Sequence, residues 1–97
     1  MTIIKVERDG SVFKLEASNH TDSKVCAGIS ALLQALEGWI LNNPEHTMDR
    51  HIRLESGHAS FSFRGDSEAE AVFWCIYIGL KRIELGYKDQ VTIFDHT

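Results

Sequence analysis

The sequence predicts an α+β domain in the order ββαββαβ: a mostly antiparallel five-stranded sheet with two helices packed on it. Three observations predict it. Apolar residues alternate at period two in two separate hairpin-like stretches, each with one apolar face. Two further stretches repeat at helical period, each with an apolar stripe that needs a surface to cover it. The turn signals between them leave only short connections, and no repeat or low-complexity segment interrupts the series.

Taken in order, Ile4 and Val6 alternate with Lys5 and Glu7, Asp9-Gly10 makes a turn, and Phe13, Leu15 and Ala17 alternate with Lys14, Glu16 and Ser18. This is the first hairpin. After the polar stretch 19–23, Val25, Ile29, Leu32, Leu36 and Ile40 recur at helical spacing until Asn42-Asn43-Pro44, so a helix is predicted over about Lys24 to Leu41. Residues 45–50 show no periodicity and are predicted as a loop. Ile52 and Leu54, the Ser56-Gly57 turn, and Ala59, Phe61 and Phe63 form a second hairpin that exits through Arg64-Gly65-Asp66. Ser67 with Glu70 three residues on reads as a capping box opening a helix to about Leu85, with Gly86 placed to end it. A short last strand covers Val91 to Phe94. The run Ala71 to Leu80, AVFWCIYIGL, contains no charged residue. Such a helix is apolar around much of its circumference, so part of it is expected to form a subunit interface, with burial inside the monomer as the alternative.

Composition narrows the function classes. At 97 residues the chain is expected to be one domain, 1–97, with 43% hydrophobic and 25% charged residues, an ordinary globular balance. Ten Lys+Arg against 14 Asp+Glu give a net charge of −4, which disfavours binding to a nucleic-acid phosphate backbone. No leader-like apolar region follows a basic start, and no run reaches the ~18 apolar residues of a membrane span, so no membrane association is expected. Two cysteines are too few for a disulfide framework; a reducing, cytoplasmic setting with both thiols reduced is expected.

Cys26 falls in the first turn of the first helix, and a helix N-terminus is a setting that favours thiolate over thiol. His20 precedes it by six residues at the exit of the second strand. A polar loop between a strand end and a helix start can bring the two within hydrogen-bond reach, as nucleophile and acid/base. Buried, inert cysteine is the commoner case, and on these residues alone both readings stand.

The run His20-Thr-Asp-Ser-Lys-Val-Cys26-Ala-Gly-Ile-Ser30-Ala-Leu, after a strand ending Leu15-Glu-Ala-Ser-Asn19, resembles the signature of the ribosomal-processing cysteine protease family: Gly-His-Ala, a loop, then Val-Cys-Ala-Ala-Val-Ser-Ala-Leu. The far end agrees. Gly79-Leu-Lys-Arg-Ile83, Tyr87 and Val91-Thr-Ile93 are similar to that family's closing helix and strand. The resemblance implies a Cys26/His20 catalytic dyad, Ser30 as a polar neighbour one turn along, a homodimer, and removal of an N-terminal extension from a ribosomal or phage structural protein. Asn19 and Asp22 join Ser30 as candidate substrate-binding or site-supporting residues. No cofactor is implied. The chain departs from the pattern in three places, one of them Gly28 where the family has Ala. Asn19 stands where the family has Gly, and only five residues, Thr21 to Val25, separate His20 from Cys26 where the family has about a dozen.

Gly57-His58-Ala59 also matches the family tripeptide, but it opens a strand with no helix-start cysteine after it. It is read as a strand or turn histidine, and Cys75 as core or interface within the apolar run. His46 and His51 lack an accompanying Cys-x-x-Cys and are expected to be solvated loop residues, so no metal site is predicted. Asp66, Glu68 and Glu70 complement a helix dipole. Two functions follow. One is a small dimeric cysteine endopeptidase acting on a peptide or protein substrate, a basic N-terminal segment being one suited to the acidic chain. The alternative is a catalytically inactive homologue that holds a peptide or protein without cutting it. A dimeric α+β domain in which Cys26 is merely buried is a third.

Overall fold

The computed structural model describes residues 1–19 and 22–96. The strands are β1 (Thr2–Asp9), β2 (Val12–Ser18), β3 (Thr47–Glu55), β4 (His58–Gly65) and β5 (Val91–His96); the helices are α1 (Ser23–Asn42) and α2 (Ser67–Gly86). The order ββαββαβ is the predicted one. The sheet runs β3-β4-β2-β1-β5, antiparallel throughout except for the parallel pair β1–β5.

Strand alternation sends Ile4 and Val6, Phe13, Leu15 and Ala17, and Ala59, Phe61 and Phe63 to the covered face, where all are buried. Lys5, Glu7, Lys14, Glu16 and Arg64 face the other way, into solvent. The core meets α1 through Val25, Ile29, Leu33, Leu36 and Ile40, and α2 through Ala69, Phe73, Ile76 and Leu80. Phe13, Phe63 and Phe73 form a ring cluster with centroids 5.1–6.0 Å apart, an arrangement in which offset and edge contacts add to area burial. By length and mean hydropathy (1.3) α1 could cross a membrane, contrary to the expectation for any run of this chain; in the fold five of its apolar side chains lie in the core.

Leu32, assigned to the apolar stripe, instead points to α2, and two glycines explain how closely the helices lie. A Cβ on Gly79 would stand 2.9 Å from both methyls of Leu32, and one on Gly28 would stand 3.2 Å from Cδ1 of Ile83. Each helix thus offers a glycine to a large side chain of the other. Their low helix propensity is the cost of that approach.

Several local expectations are corrected. The segment 45–50 is a 3-10 turn (Pro44–His46) and the start of β3. A register shift between Met48 and His51, with Asp49 at φ +54°, breaks the alternation that would have revealed the strand. The cap of α2 is Asp66, whose Oδ1 accepts from the N–H groups of Glu68 (3.1 Å) and Ala69 (3.0 Å). Glu70 closes no capping box with Ser67. It takes a two-pronged ion pair from Arg8 on β1 (2.7 and 3.2 Å) and accepts from the Trp74 indole. Gly86 is the last residue of α2 and has no left-handed conformation. Cys75 is exposed and outside the core, and with Ala71, Ile78 and Leu85 it forms an outward stripe on α2. The outer edge of β5 is shielded where Glu84 Oε2 accepts from the N–H of Ile93 (2.7 Å).

His46 is not a solvated loop residue. Its Nδ1 lies 2.7 Å from Asp66, its Nε2 lies 3.1 Å from Glu68 and 3.4 Å from Glu45, and its ring stacks on Trp39. The hydrogen bond to Asp66 is the main cause that holds the imidazole above its usual 6.5, with the three carboxylates adding to it. Asp66 is held below its usual 3.8, first by the Ala69 N–H and then by His46.

Two outcomes are expected. Gly79→Leu destabilises the fold by about 1–3 kcal/mol in chemical denaturation, while Gly79→Ala stays near neutral, because Leu32 methyls can move and helix propensity improves. For the His46 clip the folded pKa is raised, so its contribution is full below the unfolded value of 6.5 and declines as pH rises through the folded value. The Asp66 contribution declines instead as pH falls below 3.8 through its lowered value. Denaturation midpoints should therefore drop as the pH is raised from below 6.5 through the folded value in the wild type, and this drop should be absent in His46→Gln.

Candidate active site

The site is built where β2 ends and α1 begins. Asn19 directly follows β2 with φ +74°. The left-handed region costs an L-residue about 1–2 kcal/mol, least for Gly and tolerated by Asn. This accounts for the departure at position 19: the backbone needs the conformation for which glycine serves best and asparagine next. The turn is pinned from both sides, since the Asn19 N–H donates to the Gly57 carbonyl (3.0 Å) and the Thr2 hydroxyl donates to the Asn19 carbonyl (3.1 Å). His20, the expected base, lies outside the described residues, as does Thr21.

Asp22 caps α1. Its Oδ1 accepts from the Lys24 N–H (2.9 Å), its carbonyl accepts from the Cys26 N–H (2.9 Å), and its own N–H donates to Oε1 of Gln90 at the start of the last strand (3.1 Å). The first turn is thereby tied to the segment that leads into β5. Cys26 follows in that turn, half-buried and in no disulfide, with Ser30 exposed one turn further on.

Cys26 and Ser30 border a hollow of about 170 Å³ between α1 and the sheet end. Its floor is Thr2, Ala17 and Ala59, and Ile29 and Leu33 supply the apolar wall below the helix. The β2–β4 register explains the space. Phe13 faces Phe63, Leu15 faces Phe61, and Ala17 faces Ala59, so the side chains on the covered face shrink toward the thiol and leave room beside it. Asn19 and the Ser56-Gly57 turn form the rim.

Of the expected site residues, the fold brings Cys26, Ser30 and Asn19 to one hollow, while Asp22 does not line it and serves as the helix cap. The Gly57-His58-Ala59 tripeptide also reaches this hollow. As the first residue of β4, His58 is the strand histidine expected; by alternation Ala59 points to the helices and His58 to the opposite face. A second hollow of about 310 Å³ adjoins the first, sharing Ser30, Leu33, Glu55, Ser56 and Ala59 and extending to Gln34 and Leu54. These last two were missed. Gln34 sits eight residues after Cys26, a spacing readable from helix geometry, whereas Leu54 reaches the site only through hairpin pairing. Among the described residues no group of three or more His, Cys, Asp or Glu side chains is placed to hold a metal ion.

A family model described as cysteine protease Prp matches residues 1–92. Among solved structures, the chain is similar to the ribosomal processing protease Prp from S. aureus with a covalently linked product peptide, at TM-score 0.77 and 21% identity, covering 98% of this chain and 99% of that one. The same protein with a substrate peptide gives 0.75 and 18%, with coverage of 98% and 99%. SMU.848 from Streptococcus mutans gives 0.75 and 17%, with 100% of this chain and 95% of that chain covered. No curated protein matches the chain.

Substitutions at position 19 separate backbone from side-chain demands. Asn19→Val should cost about 1–2 kcal/mol in chemical denaturation, and Asn19→Gly should leave stability within about 0.5 kcal/mol.

Proposed function

Because the chain belongs to the cysteine protease Prp family, we propose that it is a thiol endopeptidase with Cys26 as nucleophile and His20 as its acid/base partner. The observation that carries this reading is the position of Cys26. It stands in the first turn of a capped helix, at the mouth of an apolar-floored hollow whose rim is the turn leading into His20. The Cys26 thiolate attacks the scissile carbonyl carbon, and His20 gives its proton to the departing amine, leaving a thioester on Cys26. Water then attacks the thioester, His20 takes its proton, and the carboxylic acid and the thiolate are released. The N–H groups of Lys24 and Cys26 are engaged by Asp22, and we assign the oxyanion contact to the neighbouring first-turn N–H groups of Ser23 and Val25. Ser30 and Asn19 would contact the substrate, while Asp22 supports the site through the helix it caps.

The substrate we infer is a peptide segment at the N-terminus of a ribosomal or phage structural protein in the cytoplasm, a class suggested by the peptide-bound S. aureus structures and by the acidic net charge of −4 for a basic segment. A homodimer is supported by the exposed Ala71, Cys75, Ile78 and Leu85 stripe on α2. The five-residue separation of His20 and Cys26 favours a second reading, in which the chain binds a peptide without cutting it.

Alkylation by iodoacetamide discriminates, because exposure alone would make Cys75 the faster thiol. The protease reading expects Cys26 to react at least about tenfold faster near neutral pH and to lose that lead in His20→Ala; Cys75 reacting faster in both proteins would sink it. Incubation with basic N-terminal peptides, followed by mass spectrometry, should show cleavage by wild type and none by Cys26→Ala. Intact peptides that still bind would establish the second reading.

A further inference from the structure

Resting on the peptide-handling reading of the Cys26 hollow, we propose that Gln34 is a substrate-binding residue that holds the backbone of an extended peptide about four residues from the reacting bond. The two adjoining hollows, of about 170 and 310 Å³, form one trough that runs along α1 from Cys26 past Ser30 to Gln34. Leu54 and the Ser56 turn of the β3–β4 hairpin form its other wall.

Along the helix wall, Cys26, Ser30 and Gln34 follow one another at four-residue intervals, each step advancing about 6 Å along the axis. An extended peptide turns equivalent backbone groups to the same side every two residues, a repeat of about 6.6 Å. The two repeats nearly match over two steps. A peptide whose scissile carbonyl lies at Cys26 therefore brings backbone groups to Ser30 and then to Gln34, a span of about 12 Å or four extended residues. The Gln34 side chain is exposed and carries both an amide donor and a carbonyl acceptor, so it can pair with a peptide N–H or C=O whatever the peptide's sequence. Leu33 on the helix side and the half-buried Leu54 on the hairpin side make both walls apolar where the peptide's inward side chains would lie.

The test uses affinity labels on the full chain in a Cys75→Ser background: iodoacetamide, and iodoacetyl-pentaalanine amide, whose backbone extends along the trough. The readout is the ratio of the two alkylation rates at Cys26. In the wild type the peptide reagent should be favoured about tenfold or more. Gln34→Ala should reduce that ratio about two- to tenfold, the effect of one hydrogen bond, with Gln34→Asn intermediate. Gln34→Trp, at an exposed position, should abolish it by filling the trough. A wild-type ratio near one, or unchanged ratios in Gln34→Ala and Gln34→Trp, would overturn the proposal. Failure of the protease reading shows separately, as an iodoacetamide rate at Cys26 that is slow and insensitive to His20→Ala.

Discussion

The pairing of β2 with β4 is the constraint on which the site depends. It sets Phe13 against Phe63, Leu15 against Phe61, and Ala17 against Ala59, so the layer between sheet and helices is thick at one end and thin at the other. At the thick end Phe73 closes the aromatic cluster and the core is filled. At the thin end two alanines leave the space that Cys26 and Ser30 border. A one-residue slip would turn the whole series to the solvent face and remove core and hollow together.

The helices hold this geometry in place by two means. Gly28 and Gly79 let α1 and α2 approach closely enough for Ile83 and Leu32 to fill the gap between them, which fixes α1 along its length. At its N-terminus, α1 is tied through Asp22 to Gln90 before β5, while Asn19, just past β2, is tied to Gly57 of the β3–β4 turn. The strained turn at Asn19 is stabilised by these bonds, consistent with strain persisting where the surroundings over-determine it. The same economy appears at α2, where Asp66 serves at once as helix cap and as partner of His46.

Much of this was legible in the residues. The alternation of Ile4, Val6, Phe13, Leu15 and Ala17 identifies a hairpin, and the recurrence of Val25, Ile29, Leu36 and Ile40 identifies a core-facing helix, because each is a local period matched to a local geometry. The segment 47–50 was not legible as strand, since the irregularity near Asp49 removes the period on which such a reading rests. Of the two places open to Cys75, core or interface, the core was excluded only by the fold, for a related reason. An apolar run says that a helix has much to bury, but which side is left outward depends on where the sheet lies. Glu70 matched a capping pattern, yet Arg8, 62 residues away, claims it.

By itself the sequence determined the element order, the covered faces of the hairpin strands, and the placement of Cys26 in the first turn of a helix six residues after His20, all consequences of short-range spacing. Its motif content also pointed to the family to which the chain belongs. Only the tertiary structure decided that Ala17 and Ala59 stand opposite one another, that Asn19 takes a left-handed turn, and that Gln34 and Leu54 extend the Cys26 hollow into a trough. Those relations join residues dozens of positions apart through strand register and helix approach, and no local period in the chain encodes them.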